Sequence, residues 1–116
     1  MFNESILTSI KKQCGLDADY EQFDLDIISH INAVLMVLNQ IGIGPEEGFA
    51  IEDEQDTWGD FLGDKAAIQR LTAVKTYVGL RVRLIFDPPA STALIESMTR
   101  QANELEWRLN VQAETK

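Results

Sequence analysis

The sequence predicts an all-α fold, a small bundle of about four main helices with an irregular acidic loop between the second and third. Three observations carry this. Apolar residues recur at helical spacing in several long segments, as on the buried face of an amphipathic helix. Residues 43–63 break that periodicity with four glycines, a proline and six carboxylates between Glu46 and Asp56. Residues 73–92, AVKTYVGLRVRLIFDPPAST, read as a helix that stops at Asp87, because Pro88 and Pro89 forbid its continuation, and then as a second helix. The same prolines suit the first turn of that next helix.

The first helix is predicted over about Glu4 to Gln13, with Asn3 as N-cap and Phe2 stapling onto Leu7. Lys11 and Lys12 sit in its last turn, where the dipole favours cations, and Gly15 suits the C′ position. A polar connector, LDADYEQ, follows. The second helix runs from Asp24 to Gln40. Phe23, Ile27, Ile31, Val34, Leu38 and Ile41 fall on one face, widened by Ile28 and Leu35. Ala33, Met36 and Val37 add apolar surface elsewhere, the mark of a helix that is central or buried by a partner. Gly42, Gly44 and Pro45 end it.

Within the irregular stretch, Phe49 to Ile51 alternates as a short strand or β-bridge would, and Trp58, Phe61 and Leu62 suit one helical turn plugging onto the core. Loops this long are functional or disordered, and the aromatics favour an ordered one. The third helix is predicted from an N-cap at Asp64 to Phe86. Its stripe is Ala67, Ile68, Leu71, Val74, Val78, Val82 and Ile85, and a second strip of Thr72, Thr76, Gly79 and Arg83 allows close approach by a neighbour. The fourth helix runs from the prolines to about Val111, with Leu94, Ile95, Met98, Ala102, Leu105 and Leu109 inward and a frayed tail at 112–116. A chain of 116 residues is read as a single domain, 1–116.

The formal net charge is −9. Residues 1–64 carry 14 acidic and 2 basic side chains, a net of −12; residues 65–116 carry 5 acidic and 8 basic, a net of +3. The overall sign argues against tight binding of DNA. The asymmetry reads either as solubility or as an acidic half of one copy meeting the basic half of the next, a heterologous contact that closes into rings or runs into filaments. No apolar run is long enough to span a membrane, and MFNESILTSIKK has no basic and apolar signal-peptide pattern. The single Cys14 fits a reducing compartment.

Nothing in the chain predicts catalysis, a cofactor or a metal. His30 is the sole histidine, and no cysteine or second histidine stands near it to complete a zinc site. The alternating acids from Asp17 to Asp26 lack the glycine and terminal glutamate of a calcium loop. GIGP lacks the later glycine and lysine of a phosphate loop, and one histidine and one cysteine assemble no nucleophile–base pair. The candidate functional residues are therefore those of an interface. Arg70 and Arg81 flank the apolar stripe of the third helix, either snorkelling over the core or pairing with a neighbour's acidic loop, Glu46, Glu47, Glu52, Asp53, Glu54 and Asp56. Trp107 lies about 120° or more from the core stripe of the fourth helix, with Val111 one turn on. Either it anchors an interface or the loop around Trp58 and Phe61 covers it within the chain.

The strings FDLDIISHINAVLMVLNQIGIGP, FAIEDEQDTWGDFL, AVKTYVGLRVRLIFDPPAS and ELEWRLNV, in this order, resemble the small head–tail connector proteins of tailed bacteriophages and prophages, also called head-completion, adaptor or DNA-packaging proteins. The resemblance covers nearly the whole chain. It implies a helical structural protein that forms a homo-oligomeric ring of about a dozen copies. It also implies as partners the portal protein above and a tail-side completion protein below. DNA passes through such a ring without being tightly bound. The implied location is the host bacterial cytoplasm during assembly, then the head–tail junction of the virion. A monomeric acidic regulator or DNA mimic is the alternative, and a small carboxylate enzyme a third reading.

Overall fold

The computed structural model describes residues 3–63 and 67–114. Five helices follow in order: α1 (Ile6–Gln13), α2 (Asp24–Gln40), α3 (Trp58–Leu62), α4 (Ile68–Phe86) and α5 (Thr92–Glu114). Among the described residues there is no sheet, only an isolated antiparallel bridge between Ser5 and Thr57. The all-α expectation holds. α4 packs against α1, α2 and α5, and α1 also packs against α2.

α1 begins two residues later than expected. Ser5, not Asn3, is its cap, with the Ser5 hydroxyl accepting from the Thr8 amide at 3.2 Å. Ser5 wins because its backbone is also held by the bridge to Thr57 and by the neighbouring Ile6 amide, which donates to Asp56. The stapling residue Phe2 lies outside the described residues. The helix closes with Gly15 at φ 80° and the Leu16 amide donating to the Lys11 carbonyl at 2.9 Å. Lys11 does more than complement the dipole. It is 2 % exposed, and its ammonium lies 3.0 Å from the Ala18 carbonyl and 2.8 Å from Asp24 at the start of α2. The pair ties the connector and α2 back onto α1.

α2 has the predicted bounds. Ile27, Ile31, Val34, Leu35 and Leu38 are buried, and Gly42 ends the helix with the Ile43 amide reaching the Leu38 carbonyl at 2.9 Å. Phe49 to Ile51 forms no strand or bridge. Instead Ile51 is pinned to a side chain: Asn32 on α2 donates to its carbonyl at 3.1 Å and accepts from its amide at 2.8 Å. The amide group of Asn32 takes the place of a neighbouring strand. The short α3 is the predicted aromatic turn. Thr57 and Asp60 form a reciprocal capping box. Trp58 and Phe61 are buried, and the Trp58 indole donates to the Ser9 hydroxyl at 2.9 Å.

The core stripe of α4 is narrower than predicted. Leu71, Val74, Val78 and Val82 are buried, but Ala67, Ile68 and Ile85 are exposed. Tyr77 and Gly79 are buried instead. The exposed residues lie near the ends of α4, although its last residue, Phe86, packs against the core. The proposed cap, Asp64, lies outside the described residues. Gly79 has the packing role expected of it: a Cβ there would run into the Gln13 side chain, which donates to the Lys75 carbonyl at 3.2 Å.

The corner after α4 is secured by Phe86, stacked edge-on with Phe23 at 5.3 Å. The prolines remain in the connection rather than in the first turn of α5. Ser91 caps α5, its hydroxyl accepting from the Leu94 amide at 3.3 Å. Leu94, in the first turn of α5, is exposed, contrary to its place on the predicted stripe. Residues 112–114 are helical rather than frayed. Ala113 is buried, at a spot where a Cβ on Gly42 would come within 3.2 Å of it.

Gly44 is the most constrained glycine. Its φ is 90° and a Cβ would collide with the Phe61 ring. Gly44→Ala combines left-handed strain with overpacking and should destabilise the fold by about 2 kcal/mol or more in urea melts.

Candidate assembly surfaces

The acidic loop is ordered by its own backbone and by α2. The carboxylate of Asp56 accepts from the amides of Glu52 at 2.7 Å and Asp53 at 3.4 Å, and Asp53 accepts from the Gln55 amide at 2.8 Å. Asp56 thus shapes the turn. Glu46, Glu47, Glu52, Asp53 and Glu54 are exposed. The Asn32 clamp and the buried Trp58 hold the two sides of this loop, so its charges stand in a defined place rather than on a free tether.

Part of the opposite charge is neutralised within the chain. Lys75 pairs with Glu4, and Lys11 with Asp24. The two arginines singled out by sequence differ. Arg81 is committed to α5, 2.9 Å from the Asn103 side-chain oxygen and 3.2 Å from Glu106, with its guanidinium 5.2 Å from the centre of the Tyr77 ring. Tyr77 donates to the same Glu106 oxygen. Arg70, half-buried, borders a surface depression with Pro45, Asp60 and Phe61, and no described residue forms an ion pair with it. Arg100, exposed on α5, likewise has no described ion-pair partner.

Trp107 is 62 % exposed and Val111 37 %. The loop around Trp58 and Phe61 does not cover Trp107, since both of its aromatics are spent in the core. α5 buries Met98, Ala102, Leu109 and Ala113, and Trp107 projects from the opposite side. A second exposed apolar set lies on α2: Met36, which the sequence placed off the core face, is 57 % exposed, and Leu25, which sequence reasoning missed, is 84 % exposed. The signal was the breadth of apolar residues around α2, which one core face cannot use up.

Cys14 is buried, and burial, then the charge of Asp87, pushes its thiol up, away from the reactive thiolate. Among the described residues no group of three or more histidines, cysteines and carboxylates is placed to hold a metal, and no helix is long and apolar enough to cross a membrane.

Two expectations follow. Trp107→Ala should leave the thermal melt of the monomer nearly unchanged, whereas Trp58→Ala should cost about 3–5 kcal/mol by emptying the core. The Tyr77 hydroxyl is pushed up by burial and by its bond to Glu106, against the opposing pull of Arg81. The folded chain therefore keeps this proton to higher pH than the unfolded chain. The tyrosine's contribution is intact below its unfolded pKa of about 10 and is lost as pH rises from there through the folded value. Urea melts of Tyr77→Phe across that range should show a shallower alkaline loss than the unaltered chain.

A family described as phage connector protein matches residues 6–116. No curated protein and no solved structure matches the chain. The match spans every helix described above, in a fold whose distinctive exposed features are an ordered acidic loop and an unburied tryptophan. The chain belongs to the phage connector protein family, structural components of the phage head–tail junction.

Proposed function

We propose that copies of this chain form a ring beneath the portal protein, joining head to tail and extending the channel through which DNA passes. The observation that carries this reading is Trp107, a large apolar side chain held in water on a rigid helix, as an anchor awaiting a partner is. The separation of charge supports it. An acidic half and a basic half on one chain favour contact between unlike surfaces of successive copies, the kind of contact that forms a ring when its rotation closes. The net charge of −9 suits a conduit to which DNA does not adhere. The alternative of a monomeric acidic regulator or DNA mimic has both the family membership and the basic second half against it.

Native mass spectrometry and electron microscopy of the protein, alone and with its portal, test the reading. Closed rings support it, and a monomer in both samples overturns it. Rings held partly by charge should weaken in about 1 M salt, where the Debye length is roughly 3 Å. Arg70→Glu should impair assembly and leave the melt of the monomer unchanged. The corresponding change at Arg81 would not separate the two effects, because it sets a carboxylate beside Glu106 and weakens the α4–α5 contact.

A further inference from the structure

α2 and α5 both pack on α4 and make no comparable contact with each other, so their outer faces lie on different flanks of the molecule. Each outer face is unpartnered. On α2 the exposed residues Leu25, Ser29, Ala33 and Met36 form a strip without charge, edged by Asp26. On α5 the strip is Arg100, Glu104, Trp107 and Val111, with Glu104 paired to Arg108 of the same helix. Asp26 and Arg100 are both exposed, and neither has an ion-pair partner among the described residues.

The two strips match in length and register. Leu25 to Met36 and Arg100 to Val111 each span roughly 16 Å of helix at about 1.5 Å per residue. Asp26 precedes Ala33 by the same two turns that separate Arg100 from Trp107. With the helices side by side and parallel, Arg100 meets Asp26, the large Trp107 lies over the small Ala33, and Val111 reaches Met36. A bulky side chain then fills the gap left by a methyl group, and the thioether of Met36 borders the indole. The acidic loop, clamped to α2 through Asn32 and Ile51, adds negative charge beside the same face.

We propose that the outer face of α2 in one copy receives the outer face of α5 in the next, and that this contact is the repeating joint of the assembly. The inference rests on the ring reading above and names the surfaces that make it. Because the faces differ, each copy has one donor side and one acceptor side, and the contact propagates rather than stopping at a dimer.

Ala33→Glu blocks the acceptor face and Trp107→Glu the donor face, both at exposed positions where the melt should stay unchanged. By native mass spectrometry each variant alone should be monomeric, with association weakened about 30-fold or more, as for an interface hot spot. An equimolar mixture should give a one-to-one dimer and nothing larger, since one good donor and one good acceptor remain. Asp26→Arg should weaken assembly, and adding Arg100→Asp in the same chain should restore it. If Ala33→Glu assembles like the unaltered chain, or the mixture stays monomeric, the α2–α5 joint is wrong while rings of the unaltered chain keep the ring reading standing. If the unaltered chain is monomeric both alone and with portal, both readings fall.

Discussion

α4 has to satisfy three neighbours at once. α1 crosses it closely enough that Gln13 occupies the space over Gly79. α2 and α5 pack on it as well. One helix of this kind has only so much circumference, and the residues that face each neighbour are correspondingly few. Tyr77 and Arg81 look toward α5 and are tied to Glu106, while Gly79 and Lys75 look toward α1. The three partners are thus set at fixed angles around a common axis, and their outer faces are set with them.

The acidic loop depends on the same arrangement at one remove. Its aromatic end is anchored by Trp58, whose indole reaches Ser9 on α1. Its other side is anchored by Asn32 on α2. α1 and α2 are themselves joined by the pair between buried Lys11 and half-buried Asp24. A buried lysine is costly unless its charge is matched, and here a carboxylate and a backbone carbonyl match it. The loop carries five exposed carboxylates on a backbone that is hydrogen-bonded or packed at both ends. Charge presented in this way suits recognition, because little conformational freedom remains to be lost on binding.

Rigid presentation also distinguishes the exposed apolar residues from incidental ones. Trp107 stands in the second half of α5, whose inner face is buried from Met98 to Ala113. Met36 and Leu25 stand on α2, whose inner face is among the best buried in the chain. Leu25, Ile85 and Leu94 sit at the ends of their helices, whereas Met36 and Trp107 stand within theirs. Helices locked on their inner faces hold such side chains in fixed places.

The sequence by itself determined the helical class, the bounds of α2, the aromatic turn at Trp58, the stop at Asp87 and the packing role of Gly79. These rest on local rules: apolar periodicity, punctuation by glycine and proline, and the space a side chain needs. It also supported the resemblance to head–tail connectors that the family match bears out. Only the tertiary structure decided which of two equivalent-looking options each residue takes. Ser5 displaced Asn3 as a cap because Thr57 lies beside it. Asn32, not a strand, satisfied Ile51. Arg81 turned to Glu106 while no described residue forms an ion pair with Arg70. Ile68, Ile85 and Leu94, all near helix ends, stayed in water. Periodicity tells which side of a helix is apolar; how far a neighbouring helix extends along that side is set by contacts between residues distant in the chain.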